Sequence, residues 1–348
     1  MKQPGIKIAL LLLLLVSVLL GVGIGQVRIT PAQILGIAGS HLGWESGIAY
    51  SPVQEAVLVA IRLPRVLLAL LVGAALAVCG AALQGLYRNP LADPALIGIS
   101  SGASVAAVAF IVLGTGIAPG WLAGIGGISA LSAATFAGAL ISAVLVYRLA
   151  LVKGKVLVTT MLLAGIGVNA VAMAVTGVFT YNANDAQLRS ITFWTLGSLG
   201  GATWNQVLGA LPFMGAAVLV LPLLAKPLNA FSLNEQNAAH LGIRTERVKR
   251  IILLLTPLAV GASVAVAGVI GFVGLLVPNI IRIIAGPDHR QVLPLSALGG
   301  ALLLVVADVV ARTAFGASEL PIGILTALLG GPFFIYLLLK ERRSNTVS

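Results

Sequence analysis

The chain has 348 residues, 59% hydrophobic and only 9% charged, with a formal net charge of +11 and a mean hydropathy of +1.08. Soluble domains carry about 25% charged residues, so this composition excludes a soluble enzyme, a nucleic-acid-binding domain and a disordered chain. A bilayer is the solvent for most of the polypeptide, and the excess of lysine and arginine reads as loop charge that sets topology.

A spanning helix needs about 20 mostly apolar residues. The first stretch that qualifies runs from Ile6 to Gly25, behind Lys2 and Lys7. Signal peptides share a basic start and an apolar core, but no small-x-small cleavage site follows and the run is long, so an uncleaved first span is expected. A short amphipathic piece at 31–39 comes next. Further apolar stretches lie at 64–86, 94–113, 121–147, 157–180, 204–225, 251–268, 270–285, 292–311 and 321–339, with a second amphipathic piece at 184–198. The expected architecture is an all-α polytopic membrane protein of ten transmembrane helices, one domain over residues 1–348. Threading it from a cytoplasmic amino terminus puts Arg28, Arg62, Arg65, Arg189 and Arg312 outside. The other 16 of the 21 basic residues fall inside, the bias expected of a correct orientation, and both termini are then cytoplasmic. Glycines four apart (Gly21/Gly25, Gly98/Gly102, Gly120/Gly124, Gly197/Gly201) suit close helix packing. Cys79, the single cysteine, lies in an apolar run and reads as a small packing residue.

Few segments break the apolar pattern. Asn89-Pro90-Leu91-Ala92-Asp93-Pro94 and Leu320-Pro321-Ile322-Gly323 forbid helix through span ends, with Asp93 placed as an N-cap. Gly271–Pro278 reads as a glycine-hinged, proline-kinked short span of the kind tolerated along a pathway. The longest polar stretch, 226–250, carries a short helix that Gly242 stops. It is either a solvated loop or a docking element for a cytosolic partner, and its length between spans favours docking. Arg62 and Arg65 bracket Pro64, and Arg312 ends the ninth span. These outward arginines suit bidentate pairing with carboxylates on another surface, or snorkelling at the interface. Asp308 lies deep in a span, as a partner for Arg312 one turn away or as a proton relay. His41, His240 and His289 are too scattered for a metal site, and no G-x-x-x-x-G-K-[ST] phosphate loop is present.

The runs 61–104 (IRLPRVLLALLVGAALAVCGAALQGLYRNPLADPALIGISSGAS), 193–204 (FWTLGSLGGATW), 268–290 (GVIGFVGLLVPNIIRIIAGPDHR) and 307–340 resemble the iron-chelate, haem and vitamin B12 permeases of type II ABC importers. That resemblance spans nearly the whole chain. It implies a homodimer around a central path in the bacterial cytoplasmic (inner) membrane, two cytoplasmic ABC ATPase subunits, one extracytoplasmic substrate-binding protein and no nucleic acid. No cofactor or metal is expected on this chain; ATP and Mg would belong to the partner ATPase. By the same resemblance residues 231–242 are the coupling helices, through Ser232, Leu233, Asn234, Glu235, Gln236, Ala238, Ala239, His240, Leu241 and Gly242. Arg62, Arg65 and Arg312 match arginines that pair with glutamates of the binding protein. Asn89, Leu91, Val158 and Thr159 match a cytoplasmic gate, with Val158 departing from the hydroxyl residue of the B12 permease. GPDHR and FWTLGSLGGATW are more similar to haem permeases, so haem is the first expected cargo, ferric siderophore next and cobalamin third. The competing reading is a proton-coupled secondary transporter using Asp308.

Overall fold

The computed structural model describes residues 4–25, 27–44, 47–114, 130–314 and 319–347. The stretch 121–129 of the fourth expected span and the Gly120/Gly124 pair lie outside the described residues. Helices come in the order α1 (Pro4–Gly23), α2 (Pro31–His41), α3 (Pro52–Ala56), α4 (Leu63–Tyr87), α5 (Ile99–Leu113), α6 (Ala130–Ala150), α7 (Val158–Tyr181), α8 (Asp185–Thr195) and α9 (Trp204–Val220). Then follow α10 (Ala225–Phe231), α11 (Glu235–His240), α12 (Thr245–Ala267), α13 (Val273–Ala285), α14 (His289–Thr313) and α15 (Ile322–Val347). Among the described residues, seven helical stretches are long and apolar enough to cross a membrane: Gly5–Gly23, Pro52–Tyr87, Ala130–Ala150, Val158–Tyr181, Trp204–Phe231, Thr245–Ala267 and His289–Thr313. The three other expected spans coincide with shorter apolar helices, Ile99–Leu113, Val273–Ala285 and Ile322–Leu337. The amphipathic pieces expected at 31–39 and 184–198 are α2 and α8.

α3 and α4 join through a π-helical turn, Val57–Arg62. Pro64 explains it: proline has no N–H and its ring crowds the carbonyl four residues back, and a widened turn absorbs the mismatch. α4 is the axis of the bundle, with Leu68, Ala69, Val72, Ala75, Val78, Cys79 and Leu83 fully buried. Small side chains let neighbours reach its backbone. A Cβ on Gly73 would collide with the carbonyl of Gly300 on α14, and one on Gly80 with that of Gly274 on α13. Where little hydrophobic drive separates helix from lipid, such close approach supplies dispersion contacts instead.

α7 is the opposite case: only Met161, Gly165 and Ala172 of its 24 residues are buried. It is pinned near its start, where Gly165 lies against the carbonyl of Leu96 and the Asn169 amide donates to Ala95 O at 3.2 Å. Beyond that pin it presents apolar side chains outward, Val171 and Val178 among them. Its entry is an unexpected two-stranded hairpin, β1 (Leu151–Val152) with β2 (Lys155–Val156). Lys153 and Gly154 both take positive φ, 49° and 77°, the requirement of a two-residue turn matched to strand twist.

Candidate functional site

The polar segment of 226–250 folds as two short helices at one end of the bundle. α10 buries Leu228 and Phe231, and the Ser232 hydroxyl closes it by donating to Asn229 O at 2.6 Å. The Asn234 side chain then caps α11 by accepting from the Gln236 N–H at 3.3 Å. Ala238 is the face that α11 turns inward, fully buried. Gly242 ends the unit as expected: at φ +80° its N–H reaches Ala239 O at 2.9 Å and that of Ile243 reaches Ala238 O at 3.2 Å, a left-handed helix stop that glycine adopts without strain. Leu233 and Leu241 are each 66% exposed, and Gln236, Ala239 and His240 are exposed beside them. Two leucines held outward on a capped, polar unit make a surface built to be covered.

The four expected gate residues lie at the same end. Asn89 folds its side-chain oxygen over the turn to accept the Leu91 N–H at 2.8 Å, and Asn279 of α13 clamps the turn by donating to Pro90 O at 2.9 Å. Val158 and Thr159 open α7 and line one cavity with Phe231, Glu235 and Lys249; Asn89 lines a neighbouring one with Asn229, Ser232 and Arg282. Arg88 borders both.

Two nodes here carry no sequence motif. The Asn229 carboxamide oxygen accepts the backbone N–H of His289 at 2.9 Å and faces its Nδ1 at 2.9 Å, while its amide donates to Asp288. An oxygen that already accepts a backbone N–H requires Nδ1 to carry its proton. Asp288, which caps α14, sits below the ordinary carboxylate range because the Arg290 N–H and the Asn229 amide both donate to it. The second node is Lys249 on α12, 4% exposed, in contact with Glu235, with Glu246 at 3.1 Å and with Val156 O at 3.4 Å.

The opposite end holds the three arginines, and the structure turns them inward rather than outward. Arg62 is 4% exposed and Arg65 is 6% exposed. Arg62 donates to the carbonyls of Val22 at 2.7 Å and Gly23 at 2.9 Å, and to Val27, tying the end of α1 to the π-helical turn. Arg65 grips Asp308 at 2.9 Å and Glu319 at 2.9 Å. Arg312 reaches Asp308 at 3.6 Å and the Gly21 carbonyl. Asp308, 2% exposed, therefore pairs first with Arg65, 243 residues away, and second with the expected Arg312. This carboxylate between two guanidiniums ties α4 to α14, and Arg312 extends the tie to α1.

A helical bundle with a short polar helical unit at one end, and no nucleotide motif in its sequence, has the form of the membrane-embedded permease of an ABC importer. The pattern of the FecCD transport family matches residues 13–340, and the chain belongs to that family. It is 40% identical over 345 residues to the hemin transport system permease protein HmuU of Yersinia pestis, covering 99% of this chain and 98% of that one. It is 44% identical over 278 residues to the cobalamin import system permease protein BtuC of Halobacterium salinarum, covering 80% and 72%. Among solved structures it resembles a metal-chelate type ABC transporter in an inward-facing conformation, with TM-score 0.81, 31% identity and 97% and 99% of the two chains covered. The protein is thus a polytopic permease of the metal-chelate, haem and B12 importer type.

Proposed function

We propose that this chain is half of a homodimeric channel that carries a bulky iron chelate from the outer side of the cytoplasmic membrane to the cytoplasm. Haem is the first candidate, ferric siderophore the second and cobalamin the third. One observation carries the reading: α11, capped at both ends by Asn234 and Gly242, holds Leu233 and Leu241 out of the bundle, and its Glu235 lines a cavity with Val158 and Thr159. An ATPase subunit seated on that unit moves it, and the gate moves with it. The excess of basic residues at this end supports a cytoplasmic placement, and the outward apolar side of α7 supports a second copy across the path. The runs GPDHR and FWTLGSLGGATW, more similar to haem permeases, support haem ahead of cobalamin.

The binding protein docks at the arginine end. Because Arg65 and Arg312 are already paired, docking there is an exchange: acidic side chains of the binding protein replace Glu319, which is 47% exposed, as partner of Arg65. Arg62, spent on backbone carbonyls, keeps the receiving surface in shape. The test is reconstitution in liposomes with the ATPase and binding protein encoded beside this chain, supplying haem, a ferric siderophore and cobalamin in turn. ATP-dependent accumulation of haem, with little of the others, is expected. Uptake that persists without the ATPase and ceases with Asp308→Asn would overturn the importer reading in favour of proton coupling.

A further inference from the structure

Lys249 is a buried cation that the docking unit, the bundle and the gate segment share. An ammonium has three N–H donors and no acceptor, and three acceptors from three places surround this one. Glu235 belongs to α11, the unit that faces the ATPase. Glu246, one turn back on α12 at 3.1 Å, holds the ammonium against its own helix. The carbonyl of Val156, at 3.4 Å, ends β2 two residues before Val158. With 4% of its surface exposed, Lys249 has little water to replace a lost partner. Removing one partner of a buried pair is far more damaging than exchanging the pair for apolar groups.

We propose that Lys249 is the positioning residue that couples the ATPase to the gate, a strut running from Glu235 through the ammonium to the Val156 carbonyl at the foot of α7. Displacing α11 then either pulls the 156–159 segment or strands a buried charge, and pulling is the easier course. The short β1–β2 hairpin suits this role, since a tight turn transmits displacement where a slack loop would absorb it. The inference rests on the importer reading above and deepens it.

The test uses the complete complex of permease, ATPase and binding protein in liposomes, and reads solute delivered per ATP hydrolysed alongside complex assembly. Lys249→Met keeps the aliphatic stem and removes the charge. It is expected to leave assembly and ATP hydrolysis in place and to lower the delivery ratio by about tenfold, within the usual span of coupling between two sites. Lys249→Arg is expected to restore most of that ratio. Glu235→Gln, at a half-exposed position that leaves the fold intact, is expected to lower it as well and decides the matter should Lys249→Met fail to assemble. A wild-type ratio in Lys249→Met, or in Glu235→Gln in that event, overturns the strut. A wild-type complex that delivers no solute on ATP overturns the importer reading instead.

Discussion

At the residue scale, buried ionisable groups at both ends serve as fasteners. Asp308 holds Arg65 and Arg312 together at the ends of three helices, so Asp308→Ala leaves Arg65 with Glu319 alone and Arg312 with the Gly21 carbonyl alone. Breaking a buried pair in this way costs about 3–5 kcal/mol, and a clearly lower melting temperature in detergent is expected. Asp308→Asn, which still accepts from Arg65, should melt between Asp308→Ala and wild type. Asp288 gives a pH prediction at the other end. Its carboxyl is held below the ordinary range by the Arg290 N–H and the Asn229 amide, so the fold favours the charged form. That contribution is complete above the usual carboxylate value of about 4 and is lost as pH falls through the depressed value. Attachment of α10 to α14 should therefore loosen on the acid side only. Asp288→Asn should flatten that acid loosening, read from protease sensitivity at 226–250 as pH falls below about 4.

At the element scale, the closest helix contacts are made by glycines. Gly73 and Gly300 bring α4 and α14 backbone to backbone, and Gly80 and Gly274 do the same for α4 and α13. Gly73→Ala is expected to cost about 1–3 kcal/mol, the usual penalty of overpacking. Gly201→Ala, where a Cβ meets nothing within 4 Å, should leave the melting temperature unchanged. Four-residue spacing pointed to Gly98/Gly102, and Gly102 does abut the Gly138 backbone. It missed Gly73 and Gly300, because a close approach belongs to two helices and spacing along one cannot show its partner. Apolar length made the long helices legible, though not the helical lead-in at 52–62 to the second span; amphipathic pattern made α2 and α8 legible, and the glycine stop at Gly242 was legible as a cap. The β1–β2 hairpin escaped because two paired residues on each side leave almost no pattern. The arginines escaped differently: charge at a span end reads as outward-facing unless Asp308 and the free carbonyls at 22–27 are known to lie beside them. Lys249 looked like one more basic residue of a polar loop, since its partners lie 14 and 93 residues away in sequence.

At the scale of the whole molecule, Cys79 is the sole cysteine and fully buried, so introduced thiols can report sidedness without removing it. Leu241→Cys, 66% exposed after α11, should react with an impermeant maleimide only in inside-out vesicles. Leu42→Cys, 85% exposed in the loop after α2, should react only in right-side-out ones. Labelling of both from one side would refute the alternating arrangement. The glycine contacts of α4 have a further consequence for motion. Helices whose main chains touch have no side-chain cushion to compress, so α4, α13 and α14 form a keel that keeps its shape while the vessel pitches. Spin labels placed on α4 and α14 should hold one separation throughout the working cycle, and the travel should be found in α7, beyond its pins at Gly165 and Asn169.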